Sequence, residues 1–446
     1  MLVKSRDYKV DFDTKQTAMT VGEYQVTVPM FNYFYTSVLN NYINSGYMSF
    51  GLLQQGLPLS QQAYMGSLGG EDAPSWEAQL ISETKTQISN TLNLYYAAKE
   101  AGYEMTDEDK AAVEESISGL KESAKANGYS FFGLTYDWFT HDYFGPGCTM
   151  ENYREFAELT QYCAGYAELK EKDFEPSADA IAAEYAENPN DYDLVTYALY
   201  TVNAEADVTN EDGTTASSDD AIAAAKEAAE AAKTAFPEDA AISTKSLSAV
   251  TSACGEEAAK WLFADRTEGD IEVFASEDGK TQYVVKFIAR EFNDYNLANA
   301  YVLTIAYDGE GETAAADKFA SLCKGATNGI TEEKFTELAE KNELTASSGS
   351  VARHTYSDEI NAFLFDSARK DGDIFTLADD SSSTYYVIRF VSFEEDLYQT
   401  QLVEDALHHE AEDAWYTEIN AVYTAESKDD VIAFADTDTP LGRTFG

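Results

Sequence analysis

The strongest constraint on the fold is a strand-like segment that occurs twice. TQYVVKFIAREF (281–292) is followed 103 residues later by TYYVIRFVSFEE (384–395). Two further blocks recur in the same order at nearly the same offset: WLFADRTEGDI with FLFDSARKDGDI, and TYALYTV with AYVLTIA. Self-similarity of this kind predicts two copies of one domain of about a hundred residues, which we name copy 1 (192–291) and copy 2 (298–394). The alternative is a coincidental likeness between amphipathic strands.

Each copy combines strands with helices, whereas the flanking regions are helical. Residues 19–190 contain a short hairpin followed by capped, amphipathic helices. Residues 397–425 form one long helix whose apolar stripe around Trp415 needs a partner, and we expect it to pack on the N-terminal helices. Residues 1–18 are predicted to be a flexible segment, and residues 426–446 a polar, frayed tail. The predicted class is therefore α+β multidomain, with a helical N-terminal module completed by a C-terminal helix.

The charge balance excludes several kinds of partner. The chain has 80 acidic and 30 basic residues and a formal net charge of −50, so it repels a phosphate backbone and nucleic acid is not an expected partner. We interpret the acidic residues as a solubilising coat, with weak binding of divalent cations as the alternative. The sequence contains no apolar run of about 18 residues, so no transmembrane segment is expected.

No motif for a cofactor or a metal is found. The four cysteines form no CxxC pair. His408, His409, Glu412 and Asp413 place histidine and carboxylate four residues apart on a helix. Because no HExxH motif is present, we interpret them as a solvated polar face. We therefore expect no cofactor and no metal site.

The order of the segments resembles that of one known family. A glycine hairpin runs into an aromatic helix (VGEYQVTVPMFNYFY), and a helix ending AAKEAGYEMTDED, two α+β units and a returning C-terminal helix follow. This layout resembles the SurA- and PrsA-type bacterial extracytoplasmic foldases, and the resemblance extends over roughly residues 19–425. It implies a SurA-like helical chaperone module that carries two parvulin-type peptidyl-prolyl isomerase domains.

Both copies depart from the parvulin pattern at the residues that matter for catalysis. In copy 2, FTELAEKN, NAFLFDSARKDGDI and YYVIRF match the pattern, and copy 1 keeps WLFADRTEGDI and QYVVKF. The first family histidine is replaced by Ala198 and Val302, the second by Tyr283 and Tyr386, and only Gly349 remains of a Gly-Gly turn. Since an amide-twisting catalyst needs placed hydrogen-bond donors, the resemblance implies degenerate domains. A catalytic Tyr is the alternative to a Tyr that packs on a strand face.

The resemblance implies an extracytoplasmic chaperone or foldase that binds unfolded or extended segments of exported polypeptides. Two alternatives stay open: an active peptidyl-prolyl isomerase with an altered pocket, and a structural or adhesive surface protein. The protein would be secreted or tethered to the outer face of the cytoplasmic membrane, although the sequence shows no export signal. The aromatic and Met-rich stretch 30–68 exceeds what one small core needs. The expected client-binding residues come from it: Phe31, Phe34, Tyr35, Tyr42, Met48 and Phe50.

Overall fold

The computed structural model describes residues 13–70, 72–129, 131–206, 208–209, 215–309 and 311–438. The chain forms two compact units. Unit 1 contains the described residues up to Glu175 together with those from His408 onward, and unit 2 is Pro176–Leu407. The predicted flexible segment and tail lie outside the described residues up to residue 12 and from residue 439. Unit 1 is mainly helical, and unit 2 contains two four-stranded sheets with helices packed on them. This confirms the predicted α+β multidomain class.

The elements have the following bounds. The strands are β1 (Thr17–Val21), β2 (Tyr24–Thr27), β3 (Leu194–Asn203), β4 (Val208–Thr209), β5 (Thr215–Ala216), β6 (Ala241–Ser246), β7 (Ile271–Ala275), β8 (Thr281–Glu291), β9 (Asn296–Ala306), β10 (Ser347–Val351), β11 (Ile374–Asp379), β12 (Thr384–Leu397) and β13 (Ala425–Ser427). The helices are α1 (Val28–Asn44), α2 (Trp76–Glu100), α3 (Asp107–Ala126), α4 (Tyr136–Phe144), α5 (Met150–Glu171), α6 (Ala178–Glu187), α7 (Pro189–Tyr192), α8 (Asp219–Thr234), α9 (Leu247–Cys254), α10 (Glu256–Leu262), α11 (Glu312–Gly325), α12 (Glu332–Lys341), α13 (Asp358–Leu364), α14 (Tyr398–Asn420) and α15 (Asp429–Ile432). No helix in these ranges is long and apolar enough to cross a membrane.

Helix α1 is the centre of unit 1. It contains no charged residue, and Pro29 stands in its first turn, where the fixed φ of proline suits a helix start. Every residue from Val28 to Tyr35 is buried. A helix that is apolar on all sides must be enclosed by other elements, and α2 and α5 supply that enclosure, with Trp76 and Leu80 of α2 fully buried in the same core.

The C-terminal residues complete unit 1. Ile419 of α14 is buried in the core around α1, and Trp415 is packed against it, as predicted for the returning helix. The structure differs from the predicted frayed tail over residues 426–438. Strand β13 pairs with β1 through Met19↔Ser427 and Val21↔Ala425, and Val431 is buried. The tail prediction is therefore wrong for these residues, because β1 offers them an open sheet edge and the core offers an apolar contact.

The division between the units falls at Glu175 and Pro176, before the predicted boundary at residue 190. The short helices α6 and α7 belong to unit 2, and Tyr185 of α6 is bonded to the residue that precedes β3. The Tyr185 hydroxyl donates to Asp193 Oδ1 (2.7 Å), and the other oxygen of Asp193 accepts from Arg290 at the end of β8 (2.9 Å). Asp193 is buried, so this ion pair fixes the entry to β3.

The two copies have the same sheet topology. Copy 1 forms a four-stranded sheet in the order β6-β3-β8-β7, and copy 2 forms one in the order β10-β9-β12-β11. The pairs within the sheets are antiparallel. Tyr283 lies opposite Thr201 in copy 1, and Tyr386 lies opposite Thr304 in copy 2. Both residues of the second pair are 103 positions after those of the first, so the register is the same as well.

A glycine turn before the last strand is built identically in both copies. The amide of Gly269 donates to the carbonyl of Phe287 (2.9 Å), and the amide of Phe287 donates to Asp270 (2.8 Å). In copy 2 Gly372 donates to Phe390 (3.0 Å), and Phe390 donates to Asp373 (2.9 Å). Both glycines have φ near +90°, a conformation that costs glycine little and other residues more. This requirement explains why the Gly-Asp-Ile sequence occurs in both copies.

Helices cover the two faces of each sheet. One face packs on α9 and α10 in copy 1 and on α13 in copy 2. The opposite face packs on α8 in copy 1 and on α11 and α12 in copy 2. Tyr283 and Tyr386 are half-buried on the first face.

Candidate functional site

The six residues expected to bind clients have different environments. Phe31, Phe34 and Tyr35 are buried in the core of unit 1, so the prediction that they contact a client is wrong. They are buried because the C-terminal residues cover the far side of α1, where the Tyr35 hydroxyl donates to the carbonyl of Thr437 (2.6 Å). Tyr42 and Met48 are half-buried against the same core. Phe50 is 74% exposed and stays a candidate contact residue.

The structure places a different set of aromatic residues around an open cavity of about 470 Å³ between α1, α3, α4 and α5. We call it the aromatic cleft. Its aromatic lining consists of Tyr33, Phe139, Tyr143, Phe144, Tyr153 and Phe156. The rest of its lining is Leu120 with neutral polar residues: Ser37, Asn40, Asn41, Ser123 and Asn127. A cavity of this size and composition falls in the range of ligand-binding clefts.

Local sequence signals position the helices that form the cleft. Gly145 and Gly147 have positive φ angles, and with Pro146 they form the turn between α4 and α5. Helix α5 then begins with a capping box, in which Thr149 accepts from the Asn152 amide and Asn152 accepts from the Thr149 amide. The turn therefore brings α4 and α5 together beside α1.

The aromatic lining is held in fixed geometry. The ring of Tyr33 lies 4.8 Å from that of Phe144 in an edge-on arrangement and 5.3 Å from that of Phe156 in a stacked one. The Tyr33 hydroxyl donates to Asn152 Oδ1 (2.5 Å), and burial raises its pKa far above the ordinary value. Tyr33 thus remains a neutral donor. Aromatic pairs at such distances stabilise one another beyond the area that they bury, so the cleft is preformed.

A buried carboxylate ties together two helices of the cleft. Asp109 of α3 accepts hydrogen bonds from Gln161 Nε2 of α5 (3.0 Å), the Tyr103 hydroxyl (2.7 Å) and the Thr106 amide (2.7 Å). Burial raises the pKa of Asp109, but these hydrogen bonds lower it more, to about 2. Asp109 is therefore ionised at neutral pH and fixes the spacing between α3 and α5.

The cleft is uncharged although its surroundings are acidic. None of its lining residues is ionisable at neutral pH, and α1 has no charge. By contrast, α3, α4 and α5 together contain 13 acidic and 5 basic residues. Just beyond the cleft residue Asn127, Phe131 is 88% exposed and Phe132 65% exposed. Large exposed aromatic side chains four and five positions after a cleft residue mark a candidate binding surface.

The cleft was not among the sites expected from the sequence, although the sequence contains one signal for it. The segment GYSFFGLTYDWFTHDYF (128–144) has eight aromatic residues among seventeen. It supplies Phe139, Tyr143 and Phe144 to the cleft as well as the two exposed phenylalanines. The contribution of α1 could not be anticipated in the same way, because it depends on a helix more than 90 positions earlier in the chain.

The register of the sheets corrects one of the predicted pocket positions. Ala198 lies opposite Lys286, and Val302 lies opposite Ile388. The residue 103 positions after Lys286 is Arg389, which lies opposite Tyr301. Ala198 therefore corresponds to Tyr301 and not to Val302, and since side chains alternate along a strand, Ala198 and Val302 are on opposite faces. Tyr283 and Tyr386 do correspond, and neither hydroxyl has a hydrogen-bond partner among the described residues.

The fold and the cleft define a two-unit α+β protein with a helical, cleft-bearing unit and a unit that contains two sheets of one topology. No family model matches the chain, and no curated protein matches it. Two solved structures are similar to it at low identity. The foldase protein PrsA from Lactococcus lactis has 11% identity, with 95% of this chain and 97% of that chain covered and a TM-score of 0.25. The foldase protein PrsA from Streptococcus pneumoniae strain Canada MDR_19A has 12% identity, with 78% and 89% covered and a TM-score of 0.26. Similarity at TM-scores this low does not indicate the function of this chain.

Proposed function

We propose that this protein is an extracytoplasmic chaperone or foldase that binds unfolded or extended segments of exported polypeptides in the aromatic cleft of unit 1. The observation that carries the proposal is an uncharged, aromatic cleft flanked by exposed phenylalanines in a protein of net charge −50. The extracytoplasmic location rests on the resemblance of the sequence to the SurA- and PrsA-type foldases.

The chemistry of the cleft suits apolar segments of an unfolded chain. Aromatic rings bury a large area against aliphatic and aromatic side chains without demanding one sequence. The asparagine and serine side chains of the lining offer hydrogen bonds to the client's main chain. The surrounding negative charge attracts basic polypeptides from a distance, so such clients associate faster at low salt.

The exposed phenylalanines provide the direct test. In a light-scattering assay of an aggregating, unfolded protein, the chain should suppress aggregation. The double variant Phe131→Ser, Phe132→Ser should need about tenfold more chaperone for the same suppression, because two aromatic contacts are lost. Since both side chains are exposed, the variant should fold normally. Ile242→Ser is the matched control, because Ile242 is 68% exposed but lies on β6 of unit 2.

Two outcomes would contradict the proposal. One is wild-type protein that does not suppress aggregation at equimolar concentration. The other is a double variant as active as the wild type, which would place client binding elsewhere. A loss of activity in Ile242→Ser equal to that of the double variant would show a general surface effect instead of a binding site in unit 1.

We further propose that neither copy is an efficient prolyl isomerase. Losing one placed donor costs about 3–4 kcal/mol of transition-state stabilisation in oxyanion sites, and isomerisation develops less charge than the reactions of those sites. Both copies have a half-buried Tyr where the resemblance implies a pocket histidine. The two sheets would then serve as rigid, non-catalytic domains.

A further inference from the structure

A second cavity of about 700 Å³ lies between α1 and α2. Its lining differs from that of the aromatic cleft, because four carboxamides dominate it: Asn41, Gln79, Gln87 and Asn90. Three aliphatic hydroxyls complete the polar lining, and Val38 is its one aliphatic residue. We call this cavity the carboxamide groove. Its polar side chains offer paired hydrogen-bond donors and acceptors.

The free hydrogen-bonding capacity of the groove points to a ligand that donates N–H or O–H groups. Glu83 is its only ionisable carboxylate, and one oxygen of Glu83 already accepts from the Tyr42 hydroxyl (2.7 Å) and from Gln79 Nε2 (2.7 Å). By contrast, Gln87 Oε1 is buried and has no hydrogen-bond partner among the described residues. A buried acceptor without a partner is costly. Because Gln87 Oε1 is buried, a ligand in the groove removes that cost only when the Gln87 side chain turns and brings Oε1 to the groove surface, where it accepts an N–H or O–H.

The groove and the aromatic cleft adjoin each other along α1. Successive residues of a helix are rotated by about 100°, so Tyr33, Ser37 and Asn40 lie within one narrow arc of α1, on the side of the cleft. Val38 and Tyr42 lie on the side of the groove. Asn41 falls between the two arcs, lines both cavities and is exposed. A chain that leaves the cleft over Asn41 therefore enters the groove.

We propose that the aromatic cleft and the carboxamide groove form one two-part site for a single extended segment of a client polypeptide. Apolar side chains of the segment enter the cleft, and the main chain of the residues that follow is hydrogen-bonded by the groove. A carboxamide has one acceptor oxygen and an NH₂ donor, which match the C=O and N–H that an extended residue presents on one edge. On binding, the Gln87 side chain turns so that its Oε1 reaches the groove surface and accepts a main-chain N–H. Because the main chain is the same in every client, the groove adds affinity without adding sequence preference. This inference rests on the proposed function and specifies how the site recognises its client.

The test uses two fluorescent peptides of about twelve residues, which span about 40 Å when extended. The first has an apolar Leu/Phe half followed by a Gly/Ser half. The second is identical except that the peptide nitrogens of the Gly/Ser half are methylated, which removes their N–H donors. With full-length protein, Gln87→Met should weaken binding of the first peptide roughly three- to tenfold, as expected for one net hydrogen bond. Methylation, which removes every N–H donor of that half, should weaken wild-type binding by at least the same factor, and Gln87→Met should have no further effect on the methylated peptide.

Two further variants make the result interpretable. Asn41→Ala changes an exposed junction residue, so it should fold normally and should weaken the first peptide more than a peptide of the apolar half alone. Gln55→Met is the matched control, because Gln55 is exposed and lines neither cavity. It should leave both affinities unchanged.

The possible failures can be separated. If wild-type protein binds the first peptide but neither methylation nor Gln87→Met changes its affinity, the two-part site is wrong and the proposed function stands. If wild-type protein binds neither peptide, the proposed function fails and this inference fails with it. If a neutral oligosaccharide binds in a Gln87-dependent manner while the peptide affinities do not depend on Gln87, the groove serves a glycan and the inference is also wrong.

Discussion

In copy 1 the sheet face that contains Val284 is covered by α8, the one helix that packs on it among the described residues, and the buried residues of that helix are alanines. In copy 2 the corresponding face, with Val387, is covered by α11 and α12, which bury Leu322 and Phe335. The strand order, the register and the glycine turn are nevertheless the same. The difference teaches that the topology is determined by strand pairing and by the turn. The covering helices can change in number and size as long as they bury the face.

The sheets also differ at one charged residue. Arg389 in β12 is 2% exposed, its Nε donates to the carbonyl of Ile330 (2.9 Å), and one of its terminal nitrogens donates to Asp371 (2.6 Å). The corresponding residue of copy 1, Lys286, is half-buried, and its ammonium lies 5.7 Å from the ring centre of Phe236. Copy 2 therefore uses a buried guanidinium to fix the loop before α12, a loop that has no counterpart in copy 1.

The largest expected difference between the copies concerns the shared glycine turn. Gly269→Ala and Gly372→Ala both force a positive φ on alanine, which costs about 1 kcal/mol. A Cβ on Gly372 would also lie 2.8 Å from the Cα of Gly329, whereas a Cβ on Gly269 would meet no described atom within 4 Å. Overpacking against backbone adds roughly 2 kcal/mol. We expect Gly372→Ala to cost about 3 kcal/mol and Gly269→Ala about 1 kcal/mol.

Hydrogen exchange of the amides in β8 and β12 measures the two effects separately within the full chain, because local stability is read at each strand. Equal losses of protection in the two variants would show that the loop around Gly329 moves aside. The steric difference between the two glycine positions would then have no effect on stability.

The last strand of each copy and the turn before it could be predicted from the sequence, because their signals are local. The Gly-Asp-Ile sequence marks a turn, and the alternation of apolar residues in β8 and β12 marks strands. The caps of α2, α3 and α5 are also local signals, and Ser75, Thr106 and Thr149 accept the expected amide hydrogen bonds. The sequence offset between the copies is a less reliable guide to equivalent positions. Matching Ala198 with Val302 is wrong by one residue, because the register is defined by the hydrogen-bonded partners of each strand.

The candidate site could not be predicted from the same signals. The spacing of Phe31, Phe34 and Tyr42 in α1 predicts an apolar face, but it does not show that the opposite face is also covered. That covering comes from residues near 430, and the cleft comes from α3, α4 and α5, all distant in sequence. The exposure of Phe50 and Phe131 likewise depends on which other residues pack around α1. Burial is a property of the tertiary structure, whereas periodicity is a property of one helix.

A smaller difference is expected at the charged position of the two sheets. Arg389→Met removes the hydrogen bond to Ile330 and leaves that carbonyl without its partner, which costs about 1–2 kcal/mol. The cost is limited because the other terminal nitrogen of Arg389 is buried without a partner and methionine removes it. Lys286→Met should stay within about 0.5 kcal/mol of wild type, as most partly exposed substitutions do. Urea unfolding of the two full-length variants provides the measurement, and equal destabilisation would contradict the distinct role of Arg389.

A pH-dependent link joins the two copies and should have a smaller effect still. Glu291 at the end of β8 accepts hydrogen bonds from Thr196 of copy 1 and from His354 Nε2 of copy 2 (2.8 Å). Burial raises the pKa of Glu291, but these hydrogen bonds lower it more, so the net shift is downward. A carboxylate with a lowered pKa stabilises the fold above its unfolded-state pKa, and that stabilisation is lost as the pH falls through the folded-state value.

Glu291→Gln should therefore destabilise the protein by about 1 kcal/mol at pH 7, a value reduced for partial exposure. The difference from wild type should be lost in acid, as the pH falls through the lowered folded-state pKa of Glu291. Urea unfolding at pH 7 and in acid tests this, with the exposed Glu395→Gln as the control. A difference that persists in acid would show that the side-chain shape of Glu291, and not its charge, holds the copies together.

The smallest expected effect is at the position where the copies agree. The Tyr283 and Tyr386 hydroxyls have no hydrogen-bond partner among the described residues, so Tyr283→Phe and Tyr386→Phe should each change stability by less than about 0.5 kcal/mol. In an assay with a proline-limited peptide, the wild-type chain should barely accelerate isomerisation, whose barrier is about 20 kcal/mol, and both variants should equal it. Because the two tyrosines occupy the same register and the same sheet face, any activity should be shared. Substantial acceleration that is abolished by Tyr386→Phe and retained by Tyr283→Phe would show that copy 2 alone has become a catalyst through its tyrosine, and that the copies differ in function as well as in their covering helices.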